Sequence, residues 1–82
     1  MVDTMAELKD ILTDIAKFIV EEPDQVSVEQ AREGSELVLT LHVAPDDMGK
    51  VIGRHGKISR SIRVLMKAAA SAADDKVRVE IR

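Results

Sequence analysis

The sequence predicts an α/β fold, an α+β two-layer sandwich in which three helices cover a three-stranded sheet. Three patterns support this: an amphipathic helix at the amino-terminal end, two apolar runs around a glycine turn, and a strictly alternating run at the carboxyl-terminal end. A strand with one apolar face has to bury that face, and the amphipathic helices supply the cover. The predicted element order is αββααβ, within a single domain spanning residues 1–82.

The first helix is predicted to begin at Thr4 and to end near Val20. Thr4-Met5-Ala6-Glu7 has the S/T-x-x-E form of a capping box, and Pro23 stops the helix because the residue before a proline avoids helical geometry. The apolar residues recur at spacings of three and four and form one stripe: Leu8, Ile11, Leu12, Ile15, Phe18 and Ile19. Phe18, the sole aromatic residue, is therefore expected in the core.

Three strands are predicted from period-two alternation. Residues 26–31 alternate weakly and residues 36–43 clearly, and the short connection Arg32-Glu33-Gly34-Ser35 between them favours an antiparallel hairpin. Residues 76–82 form the last strand. The inward-facing residues of the second and third strands are Leu37, Leu39, Leu41, Val43, Val77, Val79 and Ile81.

Two further helices are predicted between the second and third strands. Ala44-Pro45-Asp46-Asp47 is typical of a helix start, since proline and carboxylates are both favoured in a first turn. This helix ends near Ile52, and a longer one runs from about Lys57 to Ala73. On a helical wheel its apolar, core-facing side holds Ile58, Ile62, Leu65, Met66, Ala69 and Ala73. Its opposite side carries Arg60, Arg63 and Lys67, with Val64 as the one apolar exception.

The net charge of −3 conceals a strong asymmetry along the chain. Residues 1–47 hold twelve acids and three bases, a balance of −9, whereas residues 48–82 hold nine bases and three acids, a balance of +6. This asymmetry indicates one basic face on an otherwise acidic body. The alternative is an ordinary surface on which the charges interleave after folding, and charge alone favours neither.

Composition also limits the compartment. The chain has no cysteine, so it can form neither a disulfide nor a thiolate metal site, which suits a reducing cytosol. No apolar run approaches the roughly 18 residues of a membrane span, and Met1-Val2-Asp3 does not resemble the start of a signal peptide. We therefore expect a cytoplasmic protein that does not enter a membrane.

Residues that could perform catalysis or bind a metal are few. His42 lies on the outer face of a predicted strand without a second ligand at metal spacing, so a surface histidine is expected. Asp46-Asp47 and Asp74-Asp75 lie at predicted helix ends, where interaction with the helix dipole or with solvent accounts for them. Ser59 and Ser61 have no partner base in the sequence. We expect no enzyme activity, no metal, no cofactor and no small-molecule substrate.

The loop Gly53-Arg54-His55-Gly56 joins the two predicted helices. Gly53 can adopt the positive φ that ends a helix, and the N–H groups that open the next helix favour an anion. Arg54 and Lys57 add positive charge. The pattern predicts a phosphate-binding loop, although G-x-x-G also occurs by chance as a plain helix–turn–helix corner. The preceding Val51-Ile52 and the basic helix that follows favour the phosphate site.

This loop, with Val51-Ile52-Gly53 leading into it, resembles that of the KH domain, and the αββααβ order is similar to the type II version. A domain of this size most resembles the KhpA family of small bacterial RNA-binding proteins. Family members often carry a second basic residue at the position of His55. The resemblance covers essentially the whole chain.

The resemblance implies that the loop holds the sugar–phosphate backbone of about four unpaired nucleotides of single-stranded RNA. Val51, Ile52, Ile58 and Ile62 would lie near or under the groove that receives the bases. The RNA-binding residues expected from the loop, the preceding apolar pair and the basic helix are Gly53, Arg54, His55, Gly56, Lys57, Val51, Ile52, Arg60, Arg63 and Lys67. The family also implies an RNA chaperone that acts with a KhpB-like partner and affects cell shape and envelope homeostasis.

An alternative hypothesis is a protein-interaction or dimerisation module, a homodimer or a heterodimer with a KhpB-like protein, whose RNA binding is secondary. Val64 and Ala68-Ala69-Ala70 support it because small residues let helices pack closely, although good helix propensity also explains the alanines. With Phe18 as the only aromatic residue, folds that stack bases on sheet aromatics fit poorly.

Overall fold

The computed structural model describes the backbone of residues 4–82 and the side chains of residues 7–82. The elements are α1 (Thr4–Ile19), β1 (Ser27–Glu33), β2 (Glu36–His42), α2 (Met48–Ile52), α3 (Lys57–Ala72) and β3 (Val77–Ile81). This order confirms the predicted fold class. Within residues 4–82, no helix has the length and apolarity needed to cross a membrane. The expectations for Met1-Val2-Asp3 and for the Thr4 cap side chain lie outside the described residues.

The sheet has the order β1-β2-β3, with β1 antiparallel and β3 parallel to the central strand β2. In the hairpin, Arg32 and Glu33 pair with Leu37 and Glu36, so the turn consists of Gly34 and Ser35 alone. The connection is therefore shorter than the four residues predicted. Because β3 pairs on one side only, its other edge is open beside α3.

The core lies between the inner face of the sheet and the three helices. The predicted inward faces of the strands are confirmed: Leu37, Leu39 and Leu41 are fully buried, and Ile81 is partly buried against them. The buried apolar side chains that meet them are Leu8, Leu12, Ala16, Val28, Val51, Ile62, Met66, Val77 and Val79. One continuous cluster therefore joins every helix and every strand.

The prediction that Phe18 belongs to the core is wrong. Its residue surface is 91% exposed, whereas Leu8, Leu12 and Ala16 on the same helix are buried. These three follow one another at intervals of four residues, and Phe18 lies six residues beyond Leu12, about 120° around the helix. Helix α1 packs through its Leu8–Ala16 side, which leaves Phe18 facing away from the sheet.

The predicted core side of α3 is also partly wrong. Ile62 and Met66 are buried and Ala69 is partly buried, but Ile58, Leu65 and Ala73 are exposed. Leu65 lies about 100° from Met66 around the helix, and Ala73 follows the last helical residue. The true core side, which includes Ser59 and Ala70, is rotated away from Leu65 toward the sheet.

Asp47 has a role that the sequence analysis did not predict. Its carboxylate is 1% exposed and accepts hydrogen bonds from the backbone N–H groups of Glu21 (3.1 Å) and Glu22 (3.0 Å). Lys50 Nζ lies 3.5 Å away. Burial raises the pKa of Asp47, but the two N–H donors and Lys50 together outweigh it, so the pKa is lowered. The residue joins the exit of α1 to the start of α2.

Asp75 is likewise more than a solvated helix-end acid. Arg32 donates two hydrogen bonds to its carboxylate, at 2.9 and 3.0 Å, and the N–H of Lys76 donates a third at 2.8 Å. The Arg32 hydrogen bonds and the Lys76 N–H lower the pKa of Asp75 to about 2. This pair ties the hairpin end of β1 to the turn that leads into β3.

The outer face of the sheet is covered by ion pairs. Arg78 reaches Glu33 (3.3 Å), Glu36 (3.5 Å) and Glu80 (3.7 Å). His42 lies on this face as predicted, with Nε2 3.1 Å from a carboxylate oxygen of Glu29. On this side of the molecule acidic and basic side chains interleave, as the alternative interpretation of the charge asymmetry predicts.

The placement of Phe18 predicts different stabilities for two α1 variants. We expect Leu12→Ala to lower the free energy of unfolding by about 2–5 kcal/mol, because it removes a fully buried side chain. We expect Phe18→Ala to change it by less than about 0.5 kcal/mol, as is usual for surface substitutions. Urea denaturation followed by circular dichroism measures both. A loss on Phe18→Ala as large as that on Leu12→Ala would contradict the exposed placement.

Candidate nucleic-acid interface

The loop between α2 and α3 has positive φ at three of its four residues. Gly53 has φ 74° and ψ 174°, His55 has φ 57°, and Gly56 has φ 74°. The Gly53 N–H closes α2 by donating to the Gly49 carbonyl at 2.8 Å, and the Gly56 N–H donates to the Gly53 carbonyl at 3.1 Å. Positive φ favours glycine, and His55 adopts it despite its Cβ. The chain therefore turns sharply within four residues.

Two N–H groups of this loop have no acceptor within residues 4–82. Arg54 and His55 open a helical turn, so neither has a preceding carbonyl in that turn to accept its N–H. Neither N–H donates to any other element in residues 4–82. Free N–H groups at the start of a helical segment have positive character and bind anions.

Ile58 explains why the first loop position must be glycine. A Cβ at Gly53 would lie 2.8 Å from Ile58 Cβ and 3.0 Å from its backbone nitrogen, which is closer than such atoms approach. At Gly56 the nearest atom would be Ser59 Oγ at 3.8 Å, so that position has room. Ser59 Oγ donates to the Gly56 carbonyl at 3.1 Å and holds the second glycine against α3.

The cations around the loop have no acidic partners. Arg54, Lys57, Arg63 and Lys67 make no ion pair within the described part of the chain, whereas Arg78 on the outer sheet face contacts three acids. Arg60 donates to the His55 carbonyl at 3.3 Å and thereby folds back over the loop. Around the loop, the basic-face interpretation of the charge asymmetry holds, because these cations are not neutralised by any acid in the described residues.

A groove lies between α3 and the open edge of β3. The Arg63 guanidinium donates to the Val79 carbonyl at 3.3 Å, and Lys67 lines the groove beside Val77. Lys76 and Arg82 bond to β2 through their backbone groups, so the backbone groups of Val77, Val79 and Ile81 point out toward the groove. No local sequence pattern predicts this edge, because the order of strands in a sheet depends on pairing between distant segments.

The far end of the groove carries charges of both signs. A hollow of about 500 Å³ there is lined by Glu36, Lys67, Ser71, Asp74, Asp75, Lys76 and Val77. Arg32 engages Asp75 and Arg78 lies 3.5 Å from Glu36, so these two acids are paired. The cations of α3 that have no ion pair in the described structure extend from Lys57 to Lys67, ten residues or about 15 Å along the helix.

The structure brings most of the predicted site residues to one side of the molecule. Arg54, His55, Lys57, Arg63 and Lys67 are exposed along the loop and α3. The apolar residues divide into two pairs: Ile52 (40%) and Ile58 (39%) are partly exposed beside the loop, whereas Val51 and Ile62 are buried beneath it. Of these four apolar residues, only Ile52 and Ile58 can touch a ligand directly. No cluster of metal-binding side chains occurs among the described residues.

Comparisons with known proteins match this geometry to one family. The family model described as KhpA/KhpB, KH domain covers residues 9–81. The RNA-binding protein KhpA of Clostridium acetobutylicum is 46% identical over 74 residues, which make up 90% of this chain and 99% of that protein. The RNA-binding protein KhpA of Treponema pallidum is 42% identical over 79 residues, 95% of each chain.

A solved structure shares the fold. The crystal structure of Era from Aquifex aeolicus superposes with a TM-score of 0.66 at 15% identity, over 99% of this chain. This chain spans 31% of that protein. At this identity the match concerns the fold alone, and it agrees with the observed αββααβ arrangement.

The contact between Gly53 and Ile58 predicts different effects of alanine at two nearby glycines. Gly53→Ala should lower the melting temperature and disturb the loop, because the new Cβ meets Ile58 and φ is positive. Gly49→Ala should leave the melting temperature unchanged or raise it, because there is open space at Gly49 within α2 and alanine favours helices. The gain in the free energy of unfolding should be at most about 1 kcal/mol. Differential scanning calorimetry compares the two, and equal effects would contradict the loop geometry.

Proposed function

Because this chain belongs to the KhpA/KhpB family of KH domains, we propose that it binds single-stranded RNA with little sequence specificity. The observation that carries the proposal is a group of cations with no acidic partner among the described residues, around a loop in which the N–H groups of Arg54 and His55 are free. The curated relatives are named RNA-binding proteins, which supports the same ligand. Residues 1–82 act in this proposal as one KH domain.

Backbone contact at the loop positions the strand. The phosphodiester approaches Gly53 and Gly56, where no side chain intervenes, and one phosphate accepts the N–H groups of Arg54 and His55. The Arg54 and Lys57 side chains supply charge on either side. Such contacts involve the sugar–phosphate chain that all nucleotides share, so they carry no sequence information.

The bases lie along the side of the loop that faces the groove. Ile52 and Ile58 present partly exposed aliphatic surface, which packs against the face or edge of a base without selecting one. The backbone groups of Val77 and Ile81 that do not bond to β2 offer hydrogen bonds farther along, whereas the Val79 carbonyl already accepts one from Arg63. Arg63 and Lys67, both exposed on α3, attract the following phosphates.

The test of this proposal is the double variant Arg54→Asp/His55→Asp, which keeps both glycines. Fluorescence anisotropy with a labelled, unstructured 12-nucleotide RNA should show affinity reduced at least tenfold, because charged hydrogen bonds are worth about 1.5–3 kcal/mol each. The circular dichroism spectrum should be unchanged. The affinity of the wild-type protein should fall with salt, at a log–log slope of about −0.7 per phosphate contact.

A matched control separates a local effect from a general loss of charge. Lys17→Asp/Gln25→Asp also lowers the net charge by three, counting histidine as neutral, and both positions are exposed and distant in sequence from the loop. This control should bind RNA within about twofold of wild type. Equal affinity of the loop variant and the wild type would refute the proposed contact. An equal loss in the control would reduce it to bulk electrostatics.

A second candidate function, dimerisation, rests on one exposed apolar patch. Val64 and Leu65 are 64% and 51% exposed on the outer side of α3. They line one shallow hollow together with Arg60, Ser61 and Ala68. Val64 and Leu65 lie on the same helix as Arg63 and Lys67. A dimer through this patch would therefore bring the basic helices of two copies, and with them two loops, into one particle. Two linked sites bind one strand more tightly than either alone.

The fuller proposal follows the family. The chain acts in the cytoplasm as an RNA chaperone, paired with itself or with a KhpB-like protein, and thereby affects cell shape and envelope homeostasis. A chaperone needs many weak contacts that form and break quickly, and a few backbone contacts per domain meet this need.

Dimerisation is tested by Leu65→Asp, with Gln25→Asp as a control of equal charge. Sedimentation equilibrium should show a concentration-dependent dimer for wild type and Gln25→Asp, and a monomer for Leu65→Asp. The substitution leaves the core intact because Leu65 is half exposed. A wild-type protein that stays monomeric at all concentrations, alone and with a KhpB-like protein, would rule the candidate out.

A further inference from the structure

Helix α1 carries an exposed face that the proposed RNA surface does not use. Phe18, the only aromatic residue of the chain, is 91% exposed, and Ile11 is 38% exposed. They are seven residues apart, nearly two full helical turns, so both side chains lie on one side of the helix. Neither contributes to the buried core cluster.

Acidic residues alternate with these two apolar ones. Glu7 precedes Ile11 by four residues and Asp14 precedes Phe18 by four, so the four residues form a single stripe, which we name the α1 face. Glu7 and Asp14 make no ion pair within residues 7–82. Lys17 lies beside Asp14 and Phe18, where the three line a shallow hollow.

The geometry points to the α1 face as a docking surface for a positively charged amphipathic helix of another protein. Apolar side chains one heptad apart match the repeat at which one helix packs against another. The carboxylates that alternate with them along the stripe attract lysine or arginine of the partner and orient the contact. The combination of an apolar pair with unpaired acids therefore specifies both the shape and the charge of the partner.

Neither RNA nor a second copy of this chain suits the α1 face. RNA phosphates would meet Glu7 and Asp14, and two α1 faces brought together would oppose like charges. A second copy could offer its Val64 patch and Arg60, but that contact is heterologous, so it would produce rings or open chains of molecules and not a twofold dimer. A basic helix from a different protein meets none of these objections.

Two synthetic peptides test the charge requirement. Both are 15-residue helices with leucine at heptad positions, and one carries lysine at all flanking positions where the other carries glutamate. Titration into isotopically labelled protein should shift the NMR resonances of Ile11, Asp14 and Phe18 with the lysine peptide only. The binding should be weak, as for small transient interfaces, and should weaken further with salt.

Two variants test the residues. Phe18→Ser should weaken binding of the lysine peptide at least tenfold, and Asp14→Lys should weaken it and admit the glutamate peptide. RNA affinity of Phe18→Ser should equal that of the wild type, which keeps this proposal independent of the proposed function. Leu65→Asp serves as a control that should bind the lysine peptide normally.

Several results would overturn the proposal. They are equal binding of the two peptides, no binding of the lysine peptide, binding unaffected by Phe18→Ser, or resonance shifts confined to α3. Self-association that disappears in Phe18→Ser would assign the face to a second copy, and reduced RNA affinity in that variant would assign it to RNA.

Discussion

The buried carboxylate of Asp47 holds together two parts of the chain that the hairpin separates. It accepts the N–H groups of Glu21 and Glu22, which lie 26 and 25 residues earlier and have no helical acceptor past the end of α1. Without this acceptor, two backbone donors in a partly buried position at the exit of α1 would lose their partner. Helix α2 has only five residues and ends at the loop, so a fixed start leaves the loop little freedom. The position of Gly53 relative to α1 therefore depends on Asp47.

The RNA binding that we propose at the other end of α2 depends on charges that the fold leaves unpaired. Arg78 on the outer sheet face is surrounded by three carboxylates, so its charge is neutralised before any ligand arrives. Arg54 and Lys57 lie where the described structure supplies no acid, and the nearby N–H groups have no acceptor. The number of basic residues in the carboxyl-terminal half is thus a poor guide to the binding face. The pairing pattern, which only the folded chain reveals, decides it.

Local features of the sequence predicted local features of the structure. The loop was predictable because positive φ is a property that glycine confers within a residue or two, and the strands were predictable because Leu37, Leu39 and Leu41 alternate. Phe18 was misplaced because a stripe at spacings of three and four spans a wide arc, and the packing direction within that arc depends on distant elements. The role of Asp47 and the open edge of β3 arise from contacts between distant segments, so no local pattern contains them.

A net charge of −3 works against the RNA binding that we propose, but the arrangement of that charge resolves the difficulty. The cations around the loop have no ion pair in the described structure, so the potential there stays positive although the whole chain is acidic. A polyanion is attracted to such a positive region, which orients encounters before contact. The cost is a weaker long-range attraction than a uniformly basic domain would have. In the proposed complex, binding rests on the few contacts at Gly53–Gly56 and along α3, and these determine both its strength and its dependence on salt.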